Sequence, residues 1–411
     1  MFKLRFLTLV VILCPFLSFS QNDFFKGYVV TLKGDTLIGY VGGKESGTTL
    51  KQVQFRSNTT DAIQKFSTAD CIAFGLYDRD DYERYTINIS MGKVDLGELS
   101  TGIDTVSKRE TVFLQVLQKG KNVVLYSYTD EIKTRFYVRK KDDKEPMELL
   151  FYSFYNPNGT SQIIYNSKYQ RQLLILFREY GVEIEDFILE RSLYDEDDLV
   201  KLVSLINDYK KEKSKYKTHV WYAGAGLVRL ATKYFGEHNL VGDDVASKTS
   251  IVPYISAGID VYVNPAYART FFRIEVSLLK SKHDIEKAEI DFDSFASRHQ
   301  FKQFTGTFSA SLLRNLYNSE KYKAYFGAGI AIRYASTSDN TTTYKYTSII
   351  GEISGPDLKK IRLQLPISAG LILSNKVDVS ISYTLPTNIA ENYVMYGIRS
   401  NSFKLGANYR F

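Results

Sequence analysis

The chain contains very little cysteine and tryptophan, with two Cys and one Trp among 411 residues. One of the two cysteines, Cys14, lies in the apolar N-terminal segment, so the rest of the chain holds only Cys71 and cannot form an internal disulfide. After that segment no stretch reaches the ~18 apolar residues that a membrane helix needs. A membrane-embedded form would therefore have to be a closed barrel, because only helices and barrels satisfy every backbone polar group in lipid.

The chain also lacks a strong excess of charge of one sign. Its formal net charge is +7, from 53 basic and 46 acidic residues that are mixed along the sequence. A nucleic-acid interface requires basic residues clustered on one face, and we expect no nucleic-acid partner. What is abundant is aromatic residues, with 31 Tyr and 26 Phe.

The first twenty residues have the pattern of a secretory signal peptide. Lys3 and Arg5 form a short basic region, and residues 6–19 are almost wholly apolar. Ser18 and Ser20 place small residues at the positions that precede cleavage. We predict a signal peptide over residues 1–20.

Residues 21–160 read as short strands and predict a β-rich periplasmic domain. Segments 27–32 and 36–41 flank Lys33-Gly34-Asp35, which predicts a hairpin with a glycine turn. Segments 111–117 and 123–128 predict a second hairpin. Alternation over residues 132–139 predicts a strand with one face in solvent.

Residues 161–216 predict a pair of helices followed by a lysine-rich linker. In the first helix Ser167 can act as the N-cap and Gly181 as the stop signal. In the second, Ser192 and Asp195 have capping-box spacing. The apolar faces comprise Leu173, Leu176, Phe177 and Tyr180 in the first helix, and Leu199, Leu202, Val203 and Ile206 in the second.

Residues 217–411 show apolar side chains that alternate with polar or small ones. The alternating segments are 251–261, 272–278, 304–312, 322–334, 361–371, 377–385 and 403–411. A further strand at about residues 220–230 is ambiguous, because Gly224 and Gly226 interrupt one of its faces. The pattern predicts eight strands, most of them long enough for the ~9–11 residues that a tilted membrane strand requires.

The connections distinguish a barrel from a soluble β-sandwich. The long ones are residues 235–248, 281–298, 336–357 and 386–401, and the short ones are residues 264–267, 317–320 and 374–376. Long and short alternate strictly, so every long loop would lie at one end, as in outer-membrane barrels. Greek-key sandwiches do not sort their loops in this way. The predicted fold class is mainly β, with an eight-stranded antiparallel transmembrane β-barrel following a β-rich N-terminal domain with two helices.

The last ten residues, Ser402-Phe403-Lys404-Leu405-Gly406-Ala407-Asn408-Tyr409-Arg410-Phe411, resemble the final-strand signature of outer-membrane β-barrels. In that family the signature implies recognition by the barrel-assembly machinery. The glycine-rich segments 325–332 and 255–259 resemble those of the PorT-like group of small barrels. The resemblance covers residues 217–411. It implies an outer-membrane β-barrel fold and a location in the cell outer membrane. The segment 24–28 with Lys33-Gly34-Asp35-Thr36 looks like the part often attached to such barrels, which implies no known activity.

An eight-stranded barrel is only wide enough for its own side chains, so charges on its inner face should pair and close it. The predicted inner charges are Asp260, Arg273, Glu275, Lys323, Arg333, Arg362, Asp378, Lys404 and Arg410. The alternative is a hydrated, ion-selective pore.

Catalysis would need a histidine with a Ser or Asp partner near the outer rim. The candidates are His238 near Asp243 and Asp244, His283 beside Asp284, and His299, all in or beside predicted external loops. No nucleophile motif accompanies them. Glu289, Asp291 and Asp293 could bind calcium weakly but lack EF-hand spacing. We therefore expect no catalytic, cofactor or metal site, and we expect Cys71 to pack in a core.

These observations favour a non-enzymatic barrel that anchors a periplasmic domain and serves envelope assembly, secretion or surface interaction. The expected partners are outer-membrane lipid, the barrel-assembly machinery during biogenesis, and a periplasmic or surface protein. Two alternatives remain open: a barrel enzyme that acts on lipid or peptide through a rim histidine, and a soluble secreted protein with a C-terminal sandwich.

Overall fold

A computed structural model of the chain describes residues 24–43, 49, 51–159, 162–209, 216–243, 245–287, 296–319, 321–346, 349–391 and 393–411. The chain divides into two compact units, Met1–Ser214 and Lys215–Phe411. The predicted signal peptide, the lysines at positions 210, 211 and 213, and the candidate calcium ligands Glu289, Asp291 and Asp293 lie outside the described residues.

The N-terminal unit is built on a ten-stranded antiparallel sheet. Its strands are β1 Phe24–Thr31, β2 Thr36–Gly42, β3 Gln52–Arg56, β4 Gln64–Ser67, β5 Cys71–Leu76, β6 Asp81–Ser90, β7 Ser107–Lys119, β8 Val123–Thr129, β9 Thr134–Lys140 and β10 Met147–Leu149. They are ordered β10-β9-β8-β7-β6-β5-β1-β2-β3-β4, and β11 Tyr152–Tyr155 pairs separately with β12 Ile163–Asn166.

Both predicted hairpins are present in this sheet. The first joins β1 to β2 through Gly34, whose φ of 91° favours glycine because it has no Cβ. The second joins β7 to β8. Cys71 is buried on β5, as expected.

The prediction for residues 132–139 is wrong in one respect, because β9 is buried on both faces. Phe136 and Val138 pack against the helices, whereas Tyr137 belongs to a second core on the opposite face of the sheet. Arg135, expected in solvent, is fully buried. Its guanidinium lies 2.9 Å from Asp130 and donates to the Ser90 carbonyl at 2.7 Å. The alternation of residue types could not reveal that both faces are buried, because the second face of β9 packs in a core that it forms with other strands of the same unit.

Three helices follow, one more than predicted: α1 Lys168–Glu179, α2 Asp186–Glu190 and α3 Glu196–Asn207. The predicted apolar faces of α1 and α3 pack on β8, β9 and β10, except that Tyr180, the α1 C-cap, is only partly buried. Gly181 follows with a φ of 65°, which confirms it as the stop. None of these described helices is long and apolar enough to cross a membrane.

The capping predictions are corrected at two positions. Ser167 is the N-cap residue of α1, but its side chain makes no cap hydrogen bond. Asp195 caps α3 by accepting from the Asp198 backbone N–H at 2.9 Å. Ser192 instead donates to the carbonyl of Leu189, three residues earlier in the chain, so the capping box does not form.

The C-terminal unit is a closed ring of eight antiparallel strands. Its strands are β13 His219–Gly236, β15 Ser250–Tyr262, β16 Thr270–Lys287, β17 Ala296–Asn318, β18 Tyr322–Tyr346, the broken strand β20 Ile361–Gln364 with β21 Pro366–Leu373, β22 Val377–Asn388 and β23 Tyr396–Arg410. Each pairs with the next, and β23 pairs with β13 to close the ring. The short strands β14 Val245–Lys248 and β19 Ile349–Ser354 extend the sheet beside β16 and β18.

The predicted alternation of faces is confirmed in the strands of the ring. In β23, for example, Phe403, Leu405 and Tyr409 face outward, whereas Asn408 and Arg410 face the lumen. The ambiguous first strand is also resolved. Gly224 and Gly226 lie on the inner face of β13 with Tyr222 and Val228, which are buried.

The predicted long loops are shorter than expected, because the strands continue into them. Much of segment 281–298 belongs to β16 and β17, and β18 reaches Tyr346. These extensions are mostly polar, with isolated apolar residues such as Ile285 and Phe301, so an apolar period of two does not detect them. Pairing with the neighbouring strand determines their conformation. In the short connection 374–376, by contrast, Ser374 and Asn375 both have positive φ, as in the primed turns of hairpins.

Candidate functional site

The outer surface of the barrel carries a broad apolar band. Its exposed large side chains include Leu227, Ile255, Ile274, Val276, Leu278, Phe308, Leu312, Phe326, Ile330, Ile332, Ile367, Leu371, Val379, Ile381 and Leu405. They come from every strand of the ring. Soluble monomers rarely expose apolar patches larger than a few hundred Å², so this surface requires a lipid environment.

Aromatic residues lie at both edges of the band. Tyr322 and Tyr409 lie near the short-turn end, whereas Tyr334 and Tyr383 lie toward the opposite end. Tyr322 and Tyr334 are twelve positions apart on β18, which is about 40 Å along the strand and about 30 Å along the axis of a barrel tilted by ~40°. That span matches an outer-membrane barrel with aromatic girdles.

Near the short-turn end, the lumen is closed by a network of paired charges. Arg273 of β16 donates to both carboxylate oxygens of Asp260, at 2.7 and 2.9 Å, and its third nitrogen lies 2.9 Å from Asp378. Arg410 donates to Asp260 at 2.9 Å and to the Tyr262 hydroxyl at 2.8 Å. Tyr325 accepts from Arg273 and donates to Asp378. Two arginines therefore balance two aspartates, as predicted for the inner face.

A second, looser pair lies beside this network. The Lys404 ammonium is 3.8 Å from Glu275 and donates to Ser277 at 2.9 Å. Glu275 also accepts from the Tyr222 hydroxyl at 3.0 Å. Arg273 and Glu275, which are two residues apart on one strand, are thus not ion-pair partners.

Arg333 and Arg362 do not follow the predicted pairing. Both are buried on the inner face, with 3% and 5% of their surface exposed, and they lie directly opposite each other on β18 and β20. Arg333 donates to the Thr305 hydroxyl at 3.1 Å. The three side-chain nitrogens of Arg362 and Nε of Arg333 have no hydrogen-bond partner among the described residues.

A cavity of about 60 Å³ remains in the middle of the lumen. Its charged lining residues are Arg273, Glu275, Arg333 and Lys404, and eight serine and threonine side chains also line it: Thr307, Ser309, Ser311, Ser368, Ser380, Ser382, Thr384 and Ser402. This volume holds a few water molecules or one small ion, and is too small for a continuous channel.

Two of the three candidate histidines, His283 and His299, lie in strands β16 and β17 rather than in external loops, whereas His238 lies in the connection after β13, as predicted. His283 is an inner residue of β16, with Nδ1 2.9 Å from the Thr232 hydroxyl and Nε2 3.0 Å from the Ser281 hydroxyl. Neighbouring side chains on a strand point to opposite faces, so Asp284 does not pair with His283 and instead binds Arg298 at 2.6 Å.

The other two histidines are held by polar or aromatic neighbours. His299 is fully buried between the Tyr234 hydroxyl and the Asn340 side-chain oxygen, each at 2.8 Å. His238 stacks on Tyr234 with ring centroids 4.3 Å apart. We find neither Asp243 as an ion-pair partner of His238 nor a group of three metal-ligating side chains within the described part of the chain; Asp244 lies outside it.

The loop end of the barrel is closed by an apolar cluster. It contains Tyr234, Leu240, Ile285, Phe301, Leu358, Ile389, Ala390 and Ile398. Four of these belong to the ring strands, and the others come from connecting segments that fold inward. The lumen is therefore blocked at both ends, by apolar packing here and by the charge network near the turns.

The N-terminal unit contains a polar cluster around Glu83. Burial by itself would raise the pKa of Glu83, but hydrogen bonds donated by Tyr85, Tyr126 and Lys119 outweigh it and hold this pKa below its usual range. Arg139 completes the cluster by donating to Tyr126 at 3.2 Å. All its donors are engaged by neighbouring strands, which is typical of a structural network.

No family model matches the sequence, and no curated protein is similar to it. Among solved structures, Ail, the attachment invasion locus protein of Yersinia pestis, is 12% identical and covers 47% of this chain and 100% of its own, with a TM-score of 0.25. The outer membrane protein OprG from Pseudomonas aeruginosa is 10% identical over 48% and 97%, with a TM-score of 0.30. The outer membrane protease OmpT from Escherichia coli is 10% identical over 49% and 99%, with a TM-score of 0.19. Similarity this low carries no argument about function.

The closed ring, the apolar band and the aromatic edges of the barrel itself lead to one conclusion. The C-terminal unit is a transmembrane β-barrel, and the cell outer membrane is its location.

Proposed function

We propose that this protein is a non-enzymatic outer-membrane anchor that holds its N-terminal unit in the periplasm. The observation that carries the proposal is the closed lumen. With a charge network near one end, an apolar cluster at the other and a cavity of about 60 Å³ between them, the described residues of the barrel form neither a conduit nor an open cleft. The role of the barrel would then be to insert in the membrane and to retain the N-terminal unit that is attached to it.

The direction of the first barrel strand supports a periplasmic N-terminal unit. His219, the first residue of β13, pairs with Val261 next to the short turn that joins β15 to β16. Short turns lie on the periplasmic side of outer-membrane barrels. The chain that precedes β13 thus enters the barrel from that side.

Protease protection tests this orientation with the full chain. We expect proteinase K added to intact cells to leave the N-terminal unit whole, and the same treatment after permeabilisation of the outer membrane to degrade it. Release of N-terminal fragments from intact cells would reverse the orientation.

We further propose that the anchored unit contacts a periplasmic or surface protein during envelope assembly, secretion or surface interaction. The PorT-like resemblance of the barrel supports this setting, and the N-terminal unit exposes large apolar side chains, among them Ile38 and Val106, with 70% and 63% of their surface accessible. A photo-crosslinking residue at position 38 should yield a discrete adduct in living cells, whereas one at the exposed lysine position 33 of the β1–β2 turn serves as the control.

One observation favours a second candidate, a barrel enzyme. The Ser281 hydroxyl lies 3.0 Å from Nε2 of His283, which is a contact that an activated nucleophile requires. The side chains are 3% and 2% exposed, and Nδ1 faces the Thr232 hydroxyl rather than a carboxylate. We expect no labelling of the folded protein by a fluorophosphonate probe. Labelling that disappears in Ser281→Ala but persists in Ser277→Ala would instead support the enzyme.

A further inference from the structure

The strongest unexplained feature of the barrel is a pair of buried arginines that face each other. Arg333 and Arg362 are paired in register across β18 and β20, and both side chains enter the lumen. Directly opposite residues on one face of a sheet have Cβ atoms about 4.5–5.5 Å apart, and like charges at such positions are unfavourable.

The described residues provide no anion for this pair. The acidic side chains of the inner face, Asp260, Glu275 and Asp378, are engaged by Arg273, Arg410 and Lys404. Nε, Nη1 and Nη2 of Arg362 are buried without any hydrogen-bond partner, and so is Nε of Arg333. Removing charged groups from water without a counter-charge is strongly unfavourable, and native structures avoid it.

The surroundings of the pair fit one class of ligand. A guanidinium offers a planar fork of N–H donors that matches the oxygens of phosphate and related anions. Arg333 also lines the 60 Å³ cavity, whose hydroxyl side chains can donate further hydrogen bonds. Water could satisfy single N–H groups but would not neutralise two buried positive charges.

We propose that Arg333 and Arg362 form an enclosed binding site for a small tetrahedral oxyanion of the phosphate or sulfate class. The anion lies between the two guanidinium groups and supplies the charge that the inner face lacks. Both arginines are buried inside the ring, and of the two only Arg333 lines the 60 Å³ cavity. This enclosure selects a free inorganic anion over the headgroup of a lipid, because the acyl chains could not follow it through the closed wall.

The test uses the full chain, folded in detergent, and inorganic phosphate as the probe. At constant ionic strength, replacing a bulky organic buffer anion by phosphate should raise the temperature at which the heat-modifiable folded band is lost. Arg362→Gln should abolish this shift. In phosphate-free buffer the same variant should unfold at an equal or higher temperature than the parent, because the like-charge contact is gone.

Arg298→Gln is the matched control, since Arg298 is a barrel arginine with an acidic partner, Asp284. It should retain the full phosphate shift. An equal shift in Arg362→Gln and the parent would overturn the proposal, because the effect would then not depend on the pair.

A direct binding measurement keeps the proposal testable if the variant fails to fold. Equilibrium dialysis of the parent protein with radiolabelled phosphate should show one site per chain that unlabelled sulfate displaces. Vesicles of anionic phospholipid without free phosphate should not compete. Absence of saturable binding would overturn the proposal, and competition by the vesicles alone would assign the site to a lipid headgroup.

Discussion

Arg273 has the largest set of partners of the charged residues described in the lumen. It binds Asp260 through two nitrogens and Asp378 through the third, while the Tyr222 and Tyr325 rings lie 4.7 and 5.0 Å from its guanidinium carbon. Removing it would take a cation from two buried carboxylates, of which Asp260 would keep its contact with Arg410. Its role is to pair with these buried carboxylates, so that the closed lumen does not hold unpaired charges.

We expect Arg273→Gln to destabilise the folded barrel by about 3–5 kcal/mol, the cost of leaving a buried charge without its partner. The measurement is denaturant-induced unfolding in detergent, followed by the heat-modifiable band. Arg298→Gln, which breaks a more exposed ion pair, should cost at most about 1 kcal/mol. Similar losses of stability in both variants would show that the buried network stabilises the barrel no more than an exposed ion pair does.

Glycines on the inner face make room for tyrosine rings. A Cβ added at Gly406 would come within 2.2 Å of the Tyr254 hydroxyl oxygen, and one added at Gly370 within 2.5 Å of the Tyr325 hydroxyl. From the sequence alone, Gly406→Ala is expected to be milder than Leu405→Arg, because Gly406 faces the lumen, unless the packing there is tight. The structure shows that it is tight.

We expect Gly406→Ala to cost about 1–3 kcal/mol through overpacking. The clash involves the hydroxyl far more than the ring, whose Cζ would be 3.3 Å away. Adding Tyr254→Phe should therefore recover much of the loss in Gly406→Ala, and a double-mutant cycle on unfolding free energies measures this coupling. Additive effects would place the cost elsewhere, for example in the backbone.

At the level of elements, helix capping shows how a short motif can be read in two ways. Ser192 and Asp195 fit capping-box spacing, yet only Asp195 caps α3, while the acidic first turn of Glu196, Asp197 and Asp198 complements the helix dipole. Ser167 occupies the N-cap of α1 without a cap hydrogen bond.

Asp195→Ala should therefore reduce stability by about 0.5–2 kcal/mol, and Ser167→Ala should have almost no effect. Amide hydrogen exchange in the full chain can follow each helix separately. Faster exchange in the first turn of α3 is expected for the first variant only. Equal loss in both helices would contradict the assignment of the caps.

The barrel strands depend on lipid contact where their outer faces form the apolar band. Leu405 of β23 lies between Leu227 of β13 and Ile381 of β22, so it is surrounded by apolar neighbours in the band. An arginine there would have to enter the hydrocarbon region or distort the strand.

Leu405→Arg should lower the folded yield, at a cost of about 2–4 kcal/mol if the site lies near the midplane of the bilayer. The heat-modifiable band on a cold gel measures the yield after membrane insertion. Leu405→Val is the control, because it keeps an apolar side chain suited to a strand. Equal yield of Leu405→Arg and the parent would show that this face does not meet lipid.

At the scale of the whole molecule, the lumen of the barrel is closed at two positions along its axis. The apolar cluster blocks the loop end, the ion network blocks the region near the turns, and the cavity between them is about 60 Å³. We expect purified protein in planar bilayers to show no stable single-channel steps. Large, ion-selective openings would mean that the lumen is hydrated and that the anchor proposal lacks its main support.

The sequence by itself was sufficient to predict the faces of the barrel strands. The period of two is a local property, and lipid outside with a filled lumen inside makes the two faces chemically different along most of each strand. The same signal fails where apolar residues are sparse, as in the extensions of β16, β17 and β18, and where both faces are buried, as in β9 with Arg135.

Only the tertiary structure decided which side chains meet inside the ring. Arg273 and Glu275 are close in sequence, but Arg273 pairs with Asp260, which lies opposite it on the neighbouring strand β15, and with Asp378 on β22, which reaches it only because the ring closes. Strand register likewise brings Arg333 opposite Arg362, and closure of the ring places Tyr254 over Gly406. Periodicity specifies the direction of a side chain, whereas its partner depends on strand order, register and barrel width, which are properties of the assembled sheet.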